Sequence, residues 1–170
     1  MSWIAPILVA FAALGLQATL VPHLGLAGVR PDLPIVATVL LAYARGTMTG
    51  TVAGFFIGLA QDLTNPAFLG LNALTKALLG HVAGALRTNL DASSLPMRFA
   101  VLFVAVVAHD VLYLAILERL ALSELFLGLL VRTLPTALYT ALVGMWAFMA
   151  LGALTRRGAH GRGRTSLARR

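Results

Sequence analysis

The chain contains no cysteine and few charged residues, and both shortages narrow what the protein can be. Without cysteine there is no disulfide, no thiolate metal site and no cysteine nucleophile. Charged residues make up 11% of the 170 residues and hydrophobic residues 59%, with a mean hydropathy of +0.90. A soluble domain of this length could not hide so much apolar surface from water. The composition therefore predicts an integral membrane protein without a large soluble domain.

The apolar residues occur in long runs, not in the alternation with polar residues that is typical of membrane β-strands. This pattern predicts an all-α bundle of six transmembrane helices in a single domain. The expected helices are about residues 3–21, 32–45, 47–63, 69–86, 96–117 and 125–154, with a basic tail at 156–170. The stretch 33–63 could instead form one tilted helix with a break at Arg45, and the long last helix would kink at Pro135.

Arginine is distributed unevenly between the two sides of this bundle. With both ends in the cytoplasm, the inner segments hold nine arginines, whereas the outer loops hold Arg30 and Arg119. The positive-inside rule then places both termini in the cytoplasm, while an odd number of spans would put the N-terminus outside. No basic residue precedes the first apolar run, so we expect that segment to stay as a helix and not to be a cleaved signal peptide.

The net charge of +7 does not indicate a nucleic-acid-binding protein. The basic residues concentrate after the last apolar segment, where no aromatic residues are interleaved for stacking on bases. A short arginine-rich tail beside a membrane helix is explained by topology and by anionic lipid head groups. We therefore expect anionic lipids, and no nucleic acid, to be partners of this tail.

Glycines recur at i+4 spacing in two neighbouring segments. They are Gly46, Gly50, Gly54 and Gly58, followed by Gly80 and Gly84. Such a stripe lets another helix backbone approach closely, which predicts a helix-packing or partner-binding face. We expect the central pair, Gly54 and Gly58, to be used within the bundle. The more peripheral Gly46 and Gly50 are expected to be freer to meet a partner.

A second pattern is a set of charged residues inside apolar segments, where each charge costs about 2.5 to 3.5 kcal/mol unless it is paired. Lys76, Asp110 and Arg132 each lie about seven residues from the outer helix ends, about 10 Å deep. Asp62, at the outer end of the third helix, lies within reach of Lys76. The sequence predicts one neutral polar layer of these four residues, with Lys76 paired to Asp62 or Asp110. Such a layer is either a ligand or partner site or a set of internal salt bridges that fixes helix register.

Catalytic patterns are weak throughout the chain. An aspartyl dyad of Asp62 and Asp110 would need one protonated acid, which the neighbouring bases disfavour. The serines lie outside the apolar helices and none occurs in Gly-x-Ser-x-Gly. His81 and His109 are solitary on apolar helices, and no metal-ligand spacing or phosphate loop is present. We predict no enzymatic activity, no cofactor and no metal.

With these residues laid out, the chain resembles the bacterial rod shape-determining protein MreD family, most closely in its first half. The segments that carry the resemblance are Gln17–Pro22, Arg30–Leu33, Arg45–Gly46, Gly54–Leu63 and Leu69–Leu74. The motif positions carried over are Arg30, Asp32, Gly54, Gly58, Asp62, Gly70 and Asn72. Asp110, Arg132 and Pro135 match in hydropathy and length only.

This resemblance implies a bundle similar to the substrate-binding components of vitamin-uptake (ECF-type) transporters, in the bacterial inner membrane. It also implies a non-enzymatic scaffold of the cell-elongation and peptidoglycan-synthesis machinery. The implied partners are the bitopic protein MreC, the actin-like MreB and peptidoglycan synthases. The alternative is a small-molecule-binding component of an uptake transporter, because the related bundles hold vitamins in their outer half.

Overall fold

The computed structural model describes residues 3–25, 28–64, 68–88, 94–117 and 127–166, and these residues contain six α-helices and no β-strand. The helices are α1 (Ile4–Thr19), α2 (Leu33–Arg45), α3 (Thr47–Asp62), α4 (Leu71–Leu86), α5 (Leu95–Leu117) and α6 (Leu134–Ser166). A short 3-10 helix (Val21–Leu24) follows α1, and a π-helical turn (Leu129–Thr133) precedes α6.

The centre of the bundle is α2, which contacts each of the other five helices. Every residue from Pro34 to Ala42 is buried, so this helix has no polar side to turn towards solvent. Its apolar residues pack with those of α5 and α6 in one cluster, and with those of α1 and α3 in another. An element that is hydrophobic all round belongs in the middle of a bundle.

The outside of the bundle is apolar, whereas charged side chains lie inside it. Phe11 is 70% exposed and Trp146 is 69% exposed, while Lys76 is 0% exposed. Two helices of the described residues are long and apolar enough to cross a membrane, Leu95–Ile116 and Leu129–Ala150. Two shorter apolar helices are Ile4–Thr19 and Leu33–Arg45. This distribution is the reverse of that in a soluble protein and suits a hydrocarbon environment.

The helix boundaries lie close to those expected from the sequence in the first five helices. The break between the second and third helices falls at Gly46, whose φ of +91° is unfavourable for other residues. The last helix differs from expectation, because α6 continues to Ser166 and does not end near residue 154. The expected start of that helix at residue 125 and the turns at 65–67 and 118–124 lie outside the described residues.

Near Pro135 the chain adopts a π-helical turn. Proline has no N–H and therefore leaves one carbonyl oxygen of the preceding turn without its usual partner. Leu129–Thr133 forms the π-helical turn, and the N–H of Leu134 donates to the carbonyl oxygen of Leu129 five residues back. The irregularity that the sequence predicted as a kink is therefore a widened turn just before the proline.

The tightest contact in the fold joins α3 to α4 along the glycine pattern. A Cβ placed on Gly54 would overlap the carbonyl group of Lys76, and one on Gly58 would overlap that of Asn72. A Cβ on Gly80 would overlap the carbonyl group of Gly50 in the same way. The two helices therefore meet backbone to backbone, which only residues without a side chain allow.

Two glycines depart from the expectation that they are free for a partner. Gly50 is buried between Gly80 and Ala42, so it belongs to the same internal contact as Gly54 and Gly58. Gly46 is not part of the helical stripe, because it caps α3 and lies beside the guanidinium of Arg87. Gly84 contacts the start of α3 at Thr47. The prediction that Gly50 meets a partner is therefore wrong.

Candidate functional site

The site begins where α3 ends and α4 starts, at the carboxylate of Asp62. Its Oδ2 accepts hydrogen bonds from the N–H groups of Gly70 (2.9 Å) and Ala73 (3.0 Å). Its Oδ1 accepts from the backbone N–H (3.1 Å) and the side-chain amide (3.0 Å) of Asn72. Gly70, at φ +96°, provides the left-handed residue that lets the chain turn there. Asp62 thus caps α4 from the neighbouring helix, where a negative charge is stabilised by the free N–H groups and the helix dipole.

Lys76 lies one helical turn beyond Asn72 on the same face of α4. Its Nζ donates to Asn72 Oδ1 at 2.9 Å and contacts His109 Nε2 of α5 at 2.9 Å. Asp32 Oδ2, at the start of α2, lies 3.9 Å from the same nitrogen. The amide of Asn72 therefore bridges a carboxylate on one side and an ammonium on the other. The ammonium therefore has two partners at hydrogen-bond distance and one ion-pair partner, all of them groups of the bundle itself.

His109 continues the network from Lys76 to Asp110. Because an ammonium can only donate, we assign Nε2 of His109 as the acceptor, which places the ring hydrogen on Nδ1. That nitrogen lies 3.2 Å from Asp110 Oδ1. The His109 ring also stacks on Tyr113, with ring centroids 5.9 Å apart. The histidine is therefore fixed on both nitrogens and on one face.

Asp32 and the neighbouring Leu33 connect this network to three more helices. Its Oδ1 accepts from the N–H of Ile35 (2.9 Å) and so caps α2. The N–H of Asp32 donates to Thr140 Oγ1 of α6 (3.0 Å). The next N–H, that of Leu33, donates to Gln17 Oε1 of α1 (2.9 Å). We call the residues Asp32, Asp62, Asn72, Lys76, His109 and Asp110 the polar network; with Gln17 and Thr140 it joins all six helices.

Three members of the predicted polar layer lie in this network, and the fourth does not. Asp62, Lys76 and Asp110 are connected through Asn72 and His109. Arg132 lies on the exposed surface in the π-helical turn, so its inclusion in the layer is a wrong prediction. Equal depth along a helix does not place two side chains on the same side of the bundle.

The acid predicted to pair with Lys76 also differs. We expected Asp62 or Asp110, but the ion pair that Lys76 forms is with Asp32. Asp62 and Asp110 are connected to Lys76 only indirectly, Asp62 through Asn72 and Asp110 through His109. In the sequence, Asp32 stands out as a motif position of the resemblance, and His109 as a solitary residue on an apolar helix. Asn72 and Lys76 are four residues apart and so share one helix face, but nothing in the sequence aligns that face with α2 and α5.

The polar network resembles a set of internal contacts that holds the helices together more than it resembles an open binding site. Lys76 and Asp62 are fully buried, and the partly exposed members are Asn72, Asp32 (22%) and Asp110 (27%). No group of three or more metal-ligating side chains occurs among the described residues.

Arg30, a motif position, is exposed and packs beside Gly25. Ser93 and Ser123, which lie in predicted loops between the helices, are outside the described residues.

Comparison with known protein families identifies the family to which the chain belongs. The family described as rod shape-determining protein MreD matches residues 1–156 of the chain. The chain belongs to the MreD family. The match extends through the second half of the bundle, where sequence motifs alone carried little resemblance. Comparisons with curated proteins and with solved structures find no match.

Membership in the MreD family places the protein in rod-shape determination. The family is a membrane component of the cell-shape machinery and is not a known enzyme family. The apolar outer surface and the two long apolar helices agree with a membrane location.

Proposed function

We propose that the protein is a non-enzymatic scaffold in the bacterial inner membrane that holds a single-pass MreC-type partner within the cell-elongation machinery. MreB and the peptidoglycan synthases are then its indirect partners. The observation that carries this proposal is the family match over residues 1–156. The polar network supports it, since a bundle whose charged groups are used internally is suited to presenting a fixed surface.

The alternative, a small-molecule-binding component of an uptake transporter, would use the polar network differently. A ligand site needs polar groups that converge on open space. Lys76 instead contacts Asn72 and His109 by hydrogen bonds and Asp32 by an ion pair, and its side chain is 1% exposed. This geometry favours the scaffold.

We also propose that all six helices cross the membrane with both termini in the cytoplasm. The basis is the excess of arginines on the inner side. Because the chain has no cysteine, single introduced cysteines report the side directly. Ser93→Cys is expected to be shielded from an impermeant thiol reagent in intact cells, and Ser123→Cys to react. The reverse labelling would contradict this topology.

The partner proposal is tested by cysteine crosslinking from the outer surface of the bundle. Exposed positions on four helices are Phe11, Phe56, Val104 and Leu138. Each is replaced by cysteine and treated in native membranes with a short thiol-to-amine crosslinker. We expect one face to give a crosslinked band that contains the single-pass partner, and the buried Val39→Cys to give none. If no position crosslinks to it and the purified protein retains a stoichiometric small molecule, the transporter alternative replaces the scaffold.

A further inference from the structure

A groove between α4 and α5 combines an apolar interior with arginines at one end. Its volume is about 290 Å³, and its floor is formed by Leu79, Ala83 and Ala105, which are buried. Alanines on the facing sides of the two helices leave this space, because their side chains are too short to close it. The groove opens to the apolar outer surface of the bundle, where Val82 and Val104 are exposed.

The length of the groove indicates what it can hold. Along α5 its lining extends from Met97 to Ala108, a rise of about 16 Å at about 1.5 Å per residue. That is about half of the hydrocarbon thickness of about 30 Å. A partner helix would need a surface across the whole membrane, whereas one acyl chain occupies a single leaflet. The groove ends at Ala108, directly before His109 of the polar network.

In the proposed topology one end of the groove faces the cytoplasm, and this inner end adjoins two arginines. Leu86 and Met97 line this end, and each is followed in the chain by an arginine. Arg98 lies over the ring of Phe148, with its guanidinium carbon 5.8 Å from the ring centroid.

Neither arginine lines the groove itself, but each contacts a residue of an element next to this end. Phe148 packs edge-on against Tyr43, which lines the groove, with ring centroids 6.0 Å apart. This contact holds Arg98 beside the groove. Arg87 ends α4, is exposed and lies beside Gly46.

We propose that this groove binds one acyl chain of an anionic phospholipid of the inner leaflet, with the phosphate of the head group at Arg87 and Arg98. Guanidinium groups suit phosphate because they offer several N–H donors in a planar arrangement. The second groove of the bundle, between α1 and α3, has a volume of about 480 Å³ and an apolar lining. None of its lining residues adjoins a charged residue in the chain, so it is an internal control.

The experiment measures lipid retention by the full-length protein. The protein, purified in a non-ionic detergent, is incubated with equal amounts of phosphatidylglycerol and phosphatidylcholine that carry the same chains. Bound lipid is then counted by native mass spectrometry. We expect one phosphatidylglycerol to be retained in preference to phosphatidylcholine. Arg87→Gln and Arg98→Gln should each weaken this retention about fivefold, as expected for the loss of one basic residue near an anionic lipid.

A matched pair of alanine variants separates the groove from simple charge attraction. Ala100→Trp fills the α4–α5 groove and should abolish the preference, whereas Ala10→Trp in the α1–α3 groove should leave it unchanged. Arg132→Gln, an exposed arginine outside the groove, should also have no effect. Ala100 is exposed, so the larger side chain is compatible with folding, which an unchanged melting temperature verifies.

Two results would overturn the proposal. One is equal retention of the two lipids by the unaltered protein. The other is an unchanged preference in Ala100→Trp, which would mean that only surface charge attracts the lipid. Because the measurement involves no partner protein, its failure would leave the proposed scaffold function untouched.

Discussion

The two faces of α4 show two ways of joining helices in one bundle. Towards α3 the contact is made by backbone atoms at glycines, with no room for any side chain. Towards α5 it is made by side chains, with a groove of about 290 Å³ in one half and the Lys76–His109 hydrogen bond in the other. The α3–α4 contact requires residues without a side chain, whereas the α4–α5 contact requires specific polar side-chain atoms. Substitutions should therefore damage the first by overlap and the second by leaving groups unpaired.

The largest effect is expected from adding a side chain to the α3–α4 contact. Gly58→Leu would drive a branched side chain into the backbone of Asn72 and Ala73, which cannot yield as a side chain can. Overpacking costs about 1–3 kcal/mol when side chains can shift, and we expect more than about 3 kcal/mol here. The amount of folded protein in membranes, measured by fluorescence-detected size-exclusion chromatography, should fall to a small fraction of normal.

Gly15→Leu is the matched control for this substitution. Gly15 also lies inside an apolar helix, but nothing lies within 4 Å of the position that its Cβ would occupy. We expect a normal amount of folded protein. Similar yields and melting temperatures for the two variants would show that α3 and α4 do not meet in this way.

A smaller effect is expected from removing the charge at the centre of the polar network. Lys76→Met leaves Asp32 without its ion pair and removes a donor from both Asn72 and His109. The cost of leaving a buried polar group unpaired is about 1–3 kcal/mol. The melting temperature of the purified protein should drop, with the yield reduced less than in Gly58→Leu.

The second substitution that rescues Lys76→Met identifies its partner. Asp32→Asn removes the unpaired charge and still caps α2, because asparagine is as good a cap as aspartate. We expect it to restore about 1 kcal/mol, since removing one partner of a pair costs about that much or more. Asp62→Asn should give no rescue, because Asp62 is held by three backbone N–H groups and does not touch Lys76 directly. Rescue by Asp62→Asn instead would contradict the observed pairing.

The glycine contact could be predicted from the sequence because its signal is local. Glycines at i+4 lie on one helix face whatever surrounds them, and Gly54, Gly58, Gly80 and Gly84 all lie in the contact. The residues that pack on this glycine face come from other parts of the chain, and the local pattern does not identify them. Gly50 was therefore wrongly expected to be free. Its place opposite Gly80 follows from how the two helices align along each other.

The polar network was only partly predictable for a related reason. Counting residues gives the depth of a side chain but not its direction around the helix, which changes by about 100° per residue. Lys76, Asp110 and Arg132 have similar predicted depths, yet Arg132 lies outside the network. The π-helical turn that contains Arg132 changes its direction further. Asp32 stood out as a motif position, but its contact with Lys76 depends on the packing of α2 against α4.

The smallest expected effect, and the sharpest test of the α4–α5 contact, comes from His109. His109→Ala removes the acceptor of one Lys76 hydrogen bond and the donor to Asp110, but leaves Lys76 paired with Asn72 and Asp32. Polar contacts between membrane helices average only about 0.6 kcal/mol, so we expect a loss of about 1 kcal/mol and a small drop in melting temperature.

His81→Ala is the control, because His81 also lies on an apolar helix but is exposed, with a 3.3 Å contact to Thr51. If the two alanine variants lose the same stability, the hydrogen bond between His109 and Lys76 contributes nothing to holding α4 against α5. A loss confined to His109→Ala that disappears when Lys76→Met is already present would show that both residues act through this one contact.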